Sequence, residues 1–267
     1  MKKLITLVFI LGTFLAVQAQ ELVPFKEGEK YGYKNSKTKE VVIAPIYSFA
    51  MVFREGMAQV ELDDKMGYID ASGTLVIPCK YEGGYGFSEG LGSVVLNGKR
   101  GFIDKTGKAV TAFKYDETDS FVEGLARIQY NGKWGFMDPT GKEVIAPTYE
   151  DADSFRNGLA SVKLNGKYGA INKSGNVVVA HKYDESLYFG EEEEDGEVGA
   201  IVKINGNVGV VNELGKEIIP VKYEEVVQYR DNEAWVKYKG KWGIVDTSGK
   251  EVVPITYPTL EKLYHRD

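Results

Sequence analysis

The sequence predicts an all-β tandem repeat, about seven three-stranded meander units laid side by side in an open, twisted array. A seven-bladed propeller is the alternative closure. Three observations carry this reading: a period of fixed length, hairpin turns recurring at one point of that period, and strands that are apolar on both faces.

The period rests on three landmarks. The first is a residue followed by Gly, at Tyr31-Gly32, Met66-Gly67, Arg100-Gly101, Trp134-Gly135, Tyr168-Gly169, Val208-Gly209 and Trp242-Gly243. The second is a trailing Tyr at positions 47, 81, 115, 149, 183, 223 and 257, so that successive tyrosines lie 34, 34, 34, 34, 40 and 34 residues apart. The third is an aromatic six residues further on, Phe53, Phe87, Phe121, Phe155, Phe189 and Tyr229. A fixed period of this size marks a solenoid, propeller or array. Propeller blades usually have four strands and about 40 to 45 residues, which favours the open array.

Before the repeats, the chain starts like a targeting signal. Lys2 and Lys3 precede an apolar run from Leu4 to Val17, and Val17-Gln18-Ala19 supplies a small-residue cleavage site. We expect residues 1–19 to be a signal peptide and residues 20–267 to be the repeat domain. The run is shorter than the roughly 20 apolar residues of a membrane span, and no Cys follows it for lipid attachment. The expected location is extracytoplasmic: periplasmic, outer-surface or secreted. Without Lys2 and Lys3, 31 basic residues stand against 39 acidic ones, a net charge of −8. That balance gives no basic footprint for nucleic acid. Cys79 is the single thiol, so an internal disulfide is excluded. It reads as a small apolar strand residue.

Within a unit the elements follow from local chemistry. In the fifth, Leu159 to Leu164 is a strand, Asn165-Gly166 a turn, Lys167 to Asn172 a second strand and Asn176 to Ala180 a third. Asn-Gly is the strongest short hairpin signal because both central residues of a type I′ turn need positive φ. It recurs at Asn97, Asn131 and Asn205, while Gly28-Glu29, Asp63-Asp64 and Lys239-Gly240 are weaker substitutes. A second turn opens with Asp70, Asp104, Asp138, Asn172, Asn212 or Asp246, each with Gly three residues later. Such side chains accept from backbone N–H groups just beyond them. The first unit has Asn35 to Lys39 here, with no Gly and one extra residue, and reads as an irregular edge.

A two-residue turn pairs Val162 with Gly169 and Lys163 with Tyr168. The fourth unit then shows Ile128, Tyr130 and Met137 on one face and Leu125, Trp134 and Phe136 on the other. A sheet apolar on both sides must pack against neighbours on both sides. The irregular ends, Asn35 to Lys39 and Glu261 to Asp267, read as caps.

The run from Asn131 to Asp138 with Gly141-Lys142-Glu143-Val144-Ile145 behind it, and Phe121-Val122-Glu123-Gly124-Leu125-Ala126 before it, resembles the WG repeat of bacterial proteins, also called the KWG repeat. The likeness extends from about Leu22 to Tyr257. Trp stands at its usual place only at 134 and 242; Tyr31, Met66, Arg100, Tyr168 and Val208 replace it elsewhere. The resemblance implies an extracytoplasmic protein with a structural or binding role and no enzymatic activity.

Candidate chemistry is sparse. The acidic insertion at 190–197, Gly190-Glu191-Glu192-Glu193-Glu194-Asp195-Gly196-Glu197, lacks the ligand alternation of a Ca²⁺ loop and reads as a solvated loop or partner contact. The periodic acids Asp70, Asp104, Asp138 and Asp246 are explained by turns, since a carboxylate pair for glycoside cleavage should break the repeat. The acids after each landmark Tyr, among them Asp116, Glu150, Asp184 and Glu224, read as loop-solvating or helix-starting residues. His181 and His265 are the only imidazoles and have no zinc spacing. No phosphate loop, GxSxG elbow or dinucleotide fingerprint is present. We therefore assign no catalytic, cofactor-binding or metal-binding residue and expect no cofactor. The landmark aromatics read as core between repeats; Tyr85 and Tyr188 lie off the landmarks and read as surface aromatics, with Gly83-Gly84-Tyr85-Gly86 making the second loop distinct.

Three functions remain: an interaction module for a protein or envelope partner, which is favoured, a carbohydrate-binding module using exposed aromatics, and a glycan-acting enzyme.

Overall fold

The computed structural model describes residues 22–190, 199–230 and 233–265. The expected signal peptide and the acidic insertion beyond Gly190 lie outside the described residues. Among the described residues the strands form seven antiparallel sheets in chain order, three of three strands and four of four. The three-stranded meander is present as expected. What the sequence reading missed is a short leading strand, such as Phe49–Ala50 or Asp151–Ala152, that pairs with the first long strand of its sheet. Two residues carry too little pattern to register as a strand.

The fifth sheet shows the common plan. Strands Leu159–Leu164 and Lys167–Asn172 pair in the expected register, Val162 with Gly169 and Lys163 with Tyr168, and Val177–Tyr183 follows. The Asn-Gly turn at its tip has φ of 52° at Asn165 and 76° at Gly166, the left-handed pair that a type I′ turn requires.

Why a Gly follows each first landmark is explained by the third strand. Trp134 pairs with Tyr149 and Phe136 with Ile145, so four residues of one strand span two of the other, and the excess bulges over Gly135. A Cβ there would lie 2.4 Å from the Ile145 carbonyl oxygen and 2.6 Å from the Pro147 nitrogen. The space above the glycine is filled by main chain, which only a residue without a side chain admits.

The third sheet departs from this plan. Its outer strand is reduced to the bridges Arg100–Tyr115 and Ile103–Ala109. The Phe102 N–H donates instead to the Thr111 hydroxyl at 2.9 Å, and the Phe113 ring covers Gly101. Thr111 replaces the aliphatic residue of the other units, and its hydroxyl competes for a ladder hydrogen bond.

The sheets pack face against face. Leu22, Tyr33, Ile43 and Tyr47 of the first meet Ala50, Ala58, Val60 and Ile69 of the second. The scheme repeats along the array, and each successive pair of sheets encloses its own apolar cluster. The two faces of the fourth sheet are as expected: Ile128 and Met137 contact the third sheet's Phe102 and Tyr115, and Leu125 and Phe136 contact the fifth. An aromatic ladder runs through these interfaces, Tyr33 on Phe53, Tyr68 on Phe87, Phe102 on Phe121 and Phe136 on Phe155, with ring centroids 4.7 to 5.0 Å apart. It stops where Ala170 replaces the aromatic. Each fully buried ring is worth roughly 1.5–3 kcal/mol in area alone. The array is open: among the described residues no core cluster joins the first sheet to the seventh. The seventh is closed off by helix Leu260–Tyr264, whose Leu263 is fully buried on Trp242 and Ile244. The tail was expected as a cap; its helix, with Thr259 accepting from the Lys262 N–H, was not.

Candidate functional site

Most charged residues of the repeat are committed to holding it together. The second-turn acids behave as the sequence suggested. Asp138 Oδ1 accepts from the backbone N–H groups of Thr140 at 2.9 Å and Lys142 at 3.2 Å and from the Thr140 hydroxyl at 2.6 Å. Asp70, Asp104 and Asp246 repeat this arrangement, and hydroxyl hydrogen bonds first, then backbone ones, hold all four carboxyls below their ordinary range.

The acids after each landmark Tyr do something the sequence reading did not foresee: they reach forward to the hairpin turns that follow them. Glu82 accepts from Gly98 N–H at 2.8 Å, Glu150 from Gly166 at 3.0 Å, and Asp184 from Asn205 at 2.6 Å. Lys99 also pairs with Asp116 and Lys167 with Asp184, each at 2.6 Å, and these lysines first, with turn N–H groups second, lower the two carboxyl pKa values.

A second hairpin turn was also missed. Glu55-Gly56, Glu89-Gly90, Glu123-Gly124 and Asn157-Gly158 all have positive φ at both residues. Glu rarely adopts that conformation, and here it is tied to an interaction between repeats. Glu55, Glu89 and Glu123 each accept from the N–H of the glycine in the next turn, Gly90, Gly124 and Gly158, at 2.9 to 3.1 Å. Lys173 adds a 3.0 Å pair to Glu123. Burial opposes ionisation of Glu123, but Lys173 and the Gly158 N–H outweigh it and lower its pKa. The signal was available as an acid-Gly or Asn-Gly pair at the repeat spacing.

The remaining reactive side chains are structural. Cys79 and His181 occupy the bulge position that Pro45 and Pro147 hold elsewhere. Cys79 packs against the first interface cluster, and burial raises its thiol pKa. His181 stacks on Tyr149 of the preceding sheet, centroids 6.2 Å apart; burial lowers its pKa, and its Nε2 is buried without a hydrogen-bond partner. His265 is exposed beside Tyr264. Among the described residues no group of His, Cys, Asp or Glu could hold a metal ion.

The landmark tyrosines from 47 to 223 are buried, whereas Tyr85 and Tyr188 are 41% and 63% exposed. Both carry an arginine over the ring, Arg100 and Arg156, at 5.3 Å. Tyr188 borders a cleft of about 270 Å³ between the fourth and fifth sheets and the segment Ser186 to Phe189 that follows the fifth. Its floor is Leu159, Leu187 and Phe189, and its polar groups are Arg127, Arg156, Asp153, Ser154, Ser161 and Ser186. Arg127 bonds Asp119 and the Ala152 carbonyl and stacks on Trp134 at 4.8 Å. The Ser186 hydroxyl donates to Asp153, and Ser161 Oγ accepts the Leu187 N–H at 2.9 Å. Sequence reasoning picked out Tyr188 but missed Arg127 and Arg156. Arg127 stands where Ser93 and Ser161 stand in neighbouring strands, and that substitution was the available signal. A second hollow, about 480 Å³, lies against the C-terminal helix between Trp235 and Tyr264.

Fold and surface together define a β-repeat protein whose sheets are stabilised by their neighbours. The WG containing repeat family matches residues 31–65, 66–99, 101–134, 134–168, 168–207, 209–242 and 242–261, and the chain belongs to that family. A search of curated proteins gave no match. Among solved structures, the chain is similar to Hsv2 of Kluyveromyces lactis, at 11% identity, covering 86% of this chain and 87% of that one, TM-score 0.41. It is similar to a eukaryotic initiation factor at 8% identity, covering 89% and 74%, TM-score 0.45. PorZ, a surface component of the type-IX secretion system of Porphyromonas gingivalis, is similar at 8% identity, covering 88% and 37%, TM-score 0.34. Likenesses this distant assign no activity.

Proposed function

We propose that this chain is a non-catalytic, extracytoplasmic interaction module that presents a repeated surface to a protein or cell-envelope component. One observation carries the reading. The periodic carboxylates, which an enzyme would need to converge, are spent on turns and on joints between repeats. Tyr85 and Tyr188, which lie off the landmarks, and Arg156 stand exposed instead. Exposed aromatics and arginines are the residue types that anchor partners. The extracytoplasmic part rests on the Lys2 to Ala19 signal pattern. Among the described residues, no helix is long and apolar enough to cross a membrane.

The test is capture from an envelope fraction with the purified mature chain as bait, a photo-crosslinking residue being placed at position 188 or, as a control, at the buried position 183. The reading expects partners crosslinked from 188 and not from 183, and a mature N-terminus at Gln20. Recovery of nothing above background would contradict it.

A glycan partner is favoured over a protein partner by one feature, the Tyr188 cleft. It combines a ring face with several hydroxyl and charged groups in a space of one sugar's scale.

A further inference from the structure

We infer that the leading strand of the seventh sheet, Glu225–Arg230, is a docking edge for an extended peptide segment of a partner protein, apolar at its centre and basic at its flanks. The inference rests on the interaction reading and adds a protein partner at a second place, separate from the Tyr188 cleft.

The other leading strands supply the contrast. In the second to fifth sheets this strand is two residues long, and the chain then folds through a turn such as Glu55-Gly56 or Asn157-Gly158. In the seventh it runs for six residues, with the β-forming Val226, Val227 and Tyr229 among them. It pairs with Glu233–Tyr238 on one side, and the sheet order leaves its other side at the edge. Such an edge presents a row of main-chain N–H and C=O groups, and neither Pro nor Lys, two usual protections, stands in it. The opposite edge of the same sheet, Glu251–Tyr257, carries Pro254.

The joint beside this edge is open where its counterparts are closed. Gln59, Ser93 and Ser161 hold one position of the repeat and are only 2 to 3% exposed; the Thr118 and Ser186 hydroxyls bond the two serines from the next unit. Ile201 holds that position in the sixth sheet and is 52% exposed. It borders a hollow of about 250 Å³ with Val208, Val226 and Val227, on the face of the seventh sheet that meets the sixth. The hollow of about 480 Å³ at Trp235 and Tyr264 lies on the opposite face, and the half-exposed Val227 borders both. Successive side chains of a strand point to opposite faces. A strand added along Glu225–Arg230 therefore sends neighbouring apolar side chains into the two hollows while its main chain pairs with the edge.

Charge favours a foreign partner over a second copy. The mature chain carries −8, and around the first hollow the described carboxylates Glu185, Glu224 and Glu225 outnumber the lysines Lys203 and Lys237. Two copies meeting at this edge would set like charges against each other, whereas lysines flanking an apolar segment would complement them.

Calorimetric titration of the full mature chain with a synthetic peptide of four apolar residues between lysine pairs tests the inference, alongside residue-resolved hydrogen exchange. The peptide should bind, and it should slow amide exchange in Glu225–Arg230 but not in Val177–Tyr183, an edge strand of the fifth sheet. The same peptide with two central prolines, or with glutamates for lysines, should bind about tenfold more weakly or not at all. Val227→Lys and Ile201→Ser should each lower affinity about tenfold, while Val177→Ser, equally exposed, should change nothing. Thermal unfolding of all three variants should match the parent. No binding at about 1 mM peptide overturns the inference, as does equal affinity for the proline peptide or an equal loss with Val177→Ser. A dimer that sedimentation detects and Val227→Lys abolishes, with no peptide bound, assigns the edge to a second copy and overturns it as well. If position 188 still crosslinks envelope partners while the peptide is ignored, this inference alone fails; if neither is seen, the interaction reading fails with it.

Discussion

The first and seventh sheets both have a face with no neighbouring sheet, and they shield it by different means. On the outer face of the first, Lys34 occupies the place that Ile69, Ile103, Met137, Ile171, Val211 and Val245 fill in the other units, where all six are fully buried. Its ammonium lies 5.5 Å from the Phe25 ring centroid, so the stem covers apolar surface while the charge reaches water. The seventh keeps its apolar residues, Trp242 and Ile244, and covers them with helix Leu260–Tyr264. One end changes a residue and the other adds an element. The difference teaches that the unit's two faces are equivalent in need but not in sequence: a terminal face must be made polar or be covered, because no unit buries its own surface.

Exchanging cap and interior chemistry should break the comparison most severely. Ile171→Lys, which places the cap's lysine inside a fully buried interface, should cost several kcal/mol and abolish cooperative unfolding of the fourth and fifth sheets in urea. The reverse exchange, Lys34→Ile, should change stability by less than about 0.5 kcal/mol and should raise self-association seen by sedimentation, because it exposes an apolar face.

At the other end, Leu263→Ala should destabilise by about 2–4 kcal/mol, read as a lower urea midpoint with fluorescence change at Trp242. An unchanged midpoint would mean that the helix is ornament rather than cap.

A smaller effect separates interior from ends by pH. His181 has a lowered pKa when folded, so folding favours its neutral form. Its contribution is fully present above the unfolded value of about 6.5 and is lost as pH falls from there through the folded pKa. His181→Phe, the residue type at the matching position 113, should flatten the stability profile below about pH 6.5. A profile identical to the parent's would show that the imidazole is not the titrating group.

The period, the faces of the strands and the Asn-Gly turns were legible in the sequence because each depends on residues close together in the chain. Ile128 and Trp134 were placed on opposite faces from alternation alone. The Glu123-Gly124 turn was not legible as a hairpin, because Glu is a poor left-handed residue and its reason for being there, the Gly158 N–H, lies 35 positions away. The bulge over Gly135 was hidden for a related cause: a glycine shows that something approaches, and the sequence does not say that it is the Ile145 carbonyl. The cleft was half visible. Tyr188 stood out as an aromatic off the landmarks, while Arg127 and Arg156 looked like ordinary surface residues until the stacking of the fourth and fifth sheets brought them beside it.

The central claim is that each sheet is stabilised by its immediate neighbours. A double-mutant cycle between Phe136 and Phe155, whose rings meet across one interface at 4.7 Å, tests it most directly by urea unfolding. Phe136→Ala and Phe155→Ala should show a coupling of about 0.5–1.5 kcal/mol, while Tyr68→Ala with Phe155→Ala, drawn from interfaces further apart, should be additive within about 0.5 kcal/mol. Additivity in the first pair, or equal coupling in the second, would contradict the account.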